Sequence, residues 1–206
     1  MPAAATRARR PAGGWALPIT ILAGATMSQP QSQHHHDTTL HGVDALLVFD
    51  AATLLSRYPG ASRAPDAPSL ADAECCYCLA PEAGELVASN NGLFRISAPL
   101  GAQLRLRPAT LALRAEQSVL LTSVQLSDFK TLTEPQLVVY DKAEIFVPRS
   151  QDLMQPERLH SLDHFWHADV VAHDSVEALI DATITDRDAN ILGCFRWKLV
   201  FEISAG

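Results

Sequence analysis

The chain has 206 residues, 48% of them hydrophobic and 19% charged, with 16 Lys+Arg against 23 Asp+Glu and a formal net charge of −7. Such apolar content at modest charge excludes a wholly disordered chain, a coiled coil and a disulfide-dense miniprotein, and at roughly 150 residues per domain the length suits one core better than two. Arg7, Arg9 and Arg10 stand in an acid-free opening stretch, so residues 27–206 hold 13 basic against 23 acidic side chains, a poor match for nucleic-acid phosphates or anionic lipid.

The opening is basic and then apolar from Trp15 to Ala25, with Pro18 in its middle. A bilayer core asks for about 20 consecutive apolar residues, which neither this run nor any later one supplies. Two readings stand side by side: residues 1–26 are a secretory signal with small residues at Ala23 and Ala25, or Met27 is the initiator and the rest is upstream sequence. Residues 28–41 are polar and aperiodic, which predicts a flexible lead-in whose His34, His35, His36 and His41 form a weak, nonspecific metal-binding tract. The expected organisation is a disordered segment over 1–40 followed by one β-sandwich domain over 41–206.

From Val43 the run VDALLVFD has the length and apolarity of a strand, and Asp50 is placed to cap a short helix over AATLLSRY. Pro59, Gly60, Pro65 and Pro68 predict a loop over 59–70. ECCYCLA, a turn at Pro81–Gly84, ELVAS, the turn Asn90-Asn91-Gly92 and LFRIS then read as hairpins, since Asn-Gly tolerates the positive φ of tight β-turns. QLRLR alternates strictly, with Leu104 and Leu106 on one face, Arg105 and Arg107 on the other, and Pro108 interrupting the ladder. LALR and SVLLTSVQL are further strand candidates. Leu137–Val147 reads as two apolar pieces around Asp141-Lys142, and residues 148–162 as a second proline-containing loop. Three β-compatible runs close the chain: HFWHADVVAH, VEALIDATIT and ILGCFRWKLVFEI. Eight to ten short strands with little helix predict an all-β fold, an antiparallel sandwich or barrel, of which a jelly-roll-like β-sandwich with one short helix after the first strand is the expected form.

Chemistry-bearing residues are few. Cys75 and Cys78 have the C-x₂₋₄-C spacing of paired zinc ligands, but on a strand Cys76 and Cys78 share one face with Cys75 on the other, and no second C-x-x-C exists; with Cys194 the three read as small buried thiols, a disulfide being the alternative in an oxidising compartment. His160, His164, His167 and His173 present no short-range pair on one face, so a catalytic zinc site is not expected. Strand parity places His164 beside Trp166, and an exposed Trp166 there offers a stacking platform for a sugar ring; these two are the candidate ligand-binding residues. Asp186, Asp188 and Asn190, with Glu177 and Asp181 nearby, have calcium-loop spacing, but a hairpin turn explains them better because the glycine and terminal glutamate of the twelve-residue loop are missing. No nucleophile elbow, S-x-x-K set or phosphate-cradling glycine motif is present, so no catalytic residue, no cofactor and no metal is assigned.

Two blocks carry a family resemblance. Residues 43–59, VDALLVFDAATLLSRYP, and residues 182–197, ATITDRDANILGCFRW, resemble the opening strand, short helix and Tyr-Pro, and the closing aspartate-turn hairpin, of the bacterial AidA/PixA inclusion-body protein family. The likeness spans residues 43–197, the middle by strand pattern more than by identity. It departs at Trp197, which is followed by Lys198-Leu199 where the family commonly has Asp-Pro, and the strand is expected to run on through Ile203. The family's usual start just before the first strand favours Met27. The resemblance implies a β-sandwich without enzymatic activity that forms cytoplasmic inclusions by self-association, under quorum-sensing control and in contact with invertebrate hosts. Its implied partners are further copies of itself, with a glycan or host factor as another possibility and neither nucleic acid nor membrane among them. The alternative is a lectin-like carbohydrate or small-ligand binding module, with secretion following if residues 1–26 are a signal.

Overall fold

The computed structural model describes residues 42–205 apart from 83–84, 90, 113–115 and 153. The segment 1–40, with its two competing readings and the histidines up to His41, lies outside the described residues.

Eleven strands and one short helix follow in order: β1 (Gly42–Phe49), α1 (Ala51–Arg57), β2 (Ser69–Leu70), β3 (Cys76–Glu82), β4 (Glu85–Ser89), β5 (Leu93–Ser97), β6 (Gln103–Thr110), β7 (Ser118–Leu126), β8 (Gln136–Pro148), β9 (Pro156–Asp169), β10 (Ser175–Thr185) and β11 (Ile191–Ser204), with a 3₁₀ turn at Ala73–Cys75. The helix starts where expected, because the Asp50 carboxylate accepts from the Thr53 N–H at 3.1 Å and so satisfies one of the first-turn donors.

The strands form a six-stranded sheet, β4-β3-β1-β6-β9-β8, and a five-stranded sheet in which β2, β11, β10 and β7 follow one another and β5 also pairs with β11. The all-β sandwich is therefore present, with sheets that are mixed rather than purely antiparallel: β1–β6, β11–β2 and β11–β5 are parallel pairs. Alternation drives the layering. Ala45, Leu47 and Phe49 of β1, Leu104 and Leu106 of β6, and Ile180, Trp197, Phe201 and Ile203 of β10 and β11 all turn inward and are buried. The aromatic centre stacks Trp197 on Phe49 at 5.0 Å and on Phe195 at 5.9 Å, ring to ring.

Several local expectations are corrected. Pro108 does not interrupt β6: pairing with β1 runs on to Thr110, whereas pairing with β9 stops at Leu106, so the missing N–H costs no bond on that vacated side. Leu111 and Ala112 of LALR form a turn. Asn91 and Gly92 do adopt positive φ, 57° and 82°, but the turn they make carries the chain from one sheet to the other, since β4 pairs with β3 and β5 with β11. The loop over 59–70 ends in the two-residue strand β2. Most importantly, the loop expected over 148–162 is confined to the connection between Pro148 and Pro156, and residues 156–162 belong to β9. Leu137–Val147 is one strand, with a bulge between Tyr140 and Ala143, and it folds back on β9 from Pro148 opposite Pro156. The prolines misled because they sit at the hairpin's end, where a lost donor weakens the ladder least.

Candidate functional site

The residues expected to make a ligand platform are brought together, but not as a platform. Trp166 and His164 share the inward-facing side of β9, and the Trp166 indole N–H donates to the Leu121 carbonyl at 3.1 Å while its ring packs on the core. The indole is half-buried rather than exposed, because β7 lies across the inner face of β9 at that point. His164 Nε2 is buried and has no hydrogen-bond partner among the described residues. His167 turns to the outer face, where Nδ1 meets the Gln103 amide at 3.2 Å, and His173 meets the Ala98 carbonyl at 3.0 Å.

The remaining candidates resolve into structural parts. All four cysteines are free and buried, which sets the disulfide alternative aside, and burial pushes the Cys78 thiol up to about 12, far from a reactive thiolate. Asp186 closes its own hairpin turn by accepting from the backbone N–H groups of Asp188 and Asn190 and from the Asn190 side chain, all at 2.9 Å. Asp181 is held by Arg196 through two 2.6 Å bonds, and that paired carboxylate raises the guanidinium pKa. Among the described residues, no group of three or more His, Cys, Asp or Glu side chains is placed to share a metal ion.

Two surface features do stand out. The first is an open recess of about 430 Å³ on the outer side of the five-stranded sheet, bordered by Gln125, Glu177, Leu179, Lys198 and Val200. The second is the β8–β9 hairpin. β9 pairs with β6 only over Trp166–Asp169, so Pro156–Phe165 have β8 as their strand partner and project past the sheet as an arm. Its root is clamped on the outer face, where the Arg107 guanidinium lies 4.4 Å from the Phe165 ring centre and binds both Asp163 and Asp44.

Beyond that clamp the arm is unusually apolar for an exposed element. Phe146, Leu162 and Val139 are 61%, 66% and 59% exposed, and Leu137, Tyr140, Ile145 and Leu159 are exposed as well. Residues directly opposite across a strand pair share a face. Leu137, Val139, Phe146 and Leu162 therefore lie on the same face of the sheet as Trp166, and all four are exposed there. β8 is also the last strand of its sheet, and its outer edge has no strand partner among the described residues. Reading 148–162 as a loop hid this feature, and residues 157–162 give no period-2 signal that could have found it, because Leu159 and Leu162 are three apart and fall on opposite faces of the strand.

Comparison with known families matches residues 41–203 to PixA, the inclusion body protein family. The chain belongs to the PixA inclusion body protein family. Curated proteins offer no match. Among solved structures, the crystal structure of an inclusion body protein (PixA) from Burkholderia cenocepacia J2315 is similar at a TM-score of 0.62 and 14% identity, covering 80% of this chain and 96% of that one. The likeness establishes the shared sandwich. Within this PixA-family chain the C-terminal departure has a plain structural outcome: Lys198 and Leu199 continue β11, which runs to Ser204 and pairs with β5 over Val200–Ser204.

Proposed function

We propose that this PixA-family protein works by self-association, as an inclusion-forming or host-interaction protein of the cytoplasm rather than as a catalyst. The observation that carries the reading is the β8–β9 arm: an unpaired strand edge together with exposed Val139, Tyr140, Phe146 and Leu162 on one projecting hairpin. Exposed strand edges and apolar patches of this kind are what monomeric proteins avoid and assembling ones use. Membership of an inclusion body protein family points the same way. A small-ligand or glycan-binding role ranks second. The recess beside Glu177 and Lys198 favours it, but its lining contains no aromatic ring on which a sugar could stack.

The test is light scattering coupled to size-exclusion chromatography of the full chain over a wide concentration range. The expected result is a mass that rises above the monomer as concentration rises. A monomer at every concentration overturns the reading.

A further inference from the structure

The β8 edge carries information about what it pairs with. A strand that meets a second copy of itself about a two-fold axis must place residue i opposite residue j with i + j constant, and opposite residues must come from the same face. In a regular strand, faces alternate by residue number, so only even sums satisfy both conditions. The bulge in β8 changes this. Tyr140 stands opposite Asp163 and Ala143 opposite Ser161, so Val138, Tyr140, Ala143 and Ile145 all lie on one face although their numbers change parity between 140 and 143. A pairing that crosses the bulge therefore needs an odd sum.

Charge selects among the odd sums. With the axis between Asp141 and Lys142, each Asp141 meets a Lys142 of the second copy, twice by symmetry. Both side chains are exposed and neither is in an ion pair among the described residues. The same register sets Val138 against Ile145 and Leu137 against Phe146, covering Leu137, Ile145 and Phe146, which are exposed in the single chain, and the half-buried Val138. Moving the copies along by two positions in one direction sets Asp141 against Glu144, a like-charge clash; in the other direction it leaves Asp141 against Tyr140 without a counter-charge.

We infer that the occupant of the β8 edge is a second copy of this chain, paired antiparallel through its own β8 about a two-fold axis at the Asp141–Lys142 peptide, which joins the two six-stranded sheets into one. This deepens the self-association reading and rests on it. The bulge and its two charges make the edge selective: of the three registers compared, one pairs opposite charges twice, one sets like charges together and one leaves Asp141 without a counter-charge.

The test uses the full chain and four proteins: wild type, Asp141→Lys, Lys142→Asp and the double swap. Each single change puts like charges face to face at the axis, and the swap restores opposite charges with the order reversed. Dimer dissociation constants from sedimentation are expected to rise about tenfold or more in each single variant and to return toward wild type in the swap. Circular dichroism checks that each variant keeps its sheet. Independently of those variants, Val138→Cys combined with Ile145→Cys is expected to give a disulfide-linked dimer under mild oxidation, and Val138→Cys alone is expected not to, since the native thiols are buried. If wild type associates but the single variants associate equally well and the cysteine pair stays uncrosslinked, the β8 register is wrong and another face mediates assembly. If wild type remains monomeric, the self-association reading falls together with the inference.

Discussion

Two hairpins of similar length meet opposite fates in this protein. β10–β11 and β8–β9 are each built from strands of more than ten residues, yet β10 is buried at nearly every position after its first turn, whereas β8 is exposed at almost all of its positions. Both contain apolar, β-compatible runs. The difference lies in neighbours: β10–β11 sits inside its sheet, with β7 on one side and β2 and β5 on the other, while β8 ends its sheet and has β9 as its one strand partner among the described residues. Strand formation follows from local pattern and a hairpin partner; burial follows from place in the sheet, and surface left open by that place is available for assembly.

The sharpest way to break the contrast is to hollow the buried hairpin. Trp197 is fully buried against Phe49 and Phe195, and Trp197→Ala is expected to cost about 3–5 kcal/mol through lost transfer energy and a residual cavity. A urea unfolding curve measures it, and a loss comparable with a surface substitution would show that the aromatic centre does not organise the core.

A smaller effect is expected at the tip of the same hairpin. The Asn190 side chain and the backbone N–H groups of Asn190 and Asp188 hold the Asp186 carboxyl below its ordinary pKa. A carboxyl depressed on folding stabilises fully above its unfolded pKa of about 3.9, and the contribution is lost as pH falls through the lower folded value. Amide exchange at Asn190 should therefore show protection that is constant from neutral pH down to roughly 5 and declines below about 4. Asp186→Ala should abolish the dependence.

The smallest expected effect on stability is on the arm. Phe146→Ser should shift the unfolding midpoint by no more than about 0.5 kcal/mol, because the side chain is already largely in water. The same substitution should weaken self-association, so the ratio of the two effects is the quantity that separates the two hairpins.

Much of the sandwich was legible without coordinates. Strict alternation marked Leu104 and Leu106 as inward, Asp50 marked the helix start, and the aspartate-rich turn marked the last hairpin, since each of these signals is local and repeats over a few residues. The candidate site was less so. Trp166 and His164 were correctly assigned to one face of a strand, but parity does not say whether that face meets solvent or the edge of another sheet, and β7 half-buries the indole. The arm was missed because Pro148 and Pro156 read as loop residues until their positions facing each other near the hairpin's end are known.

What the residues determined by themselves is most of the strands and their alternating faces, the helix cap and the closing turn, all consequences of periodicity and short-range hydrogen bonding. Only the tertiary structure decided which strands became neighbours: the parallel pairings of β1 with β6 and of β11 with β5, the passage between sheets at Asn91-Gly92, and the placing of β8 at an open edge. Those choices join residues far apart in sequence, where loop closure and the packing of whole faces outweigh any local preference.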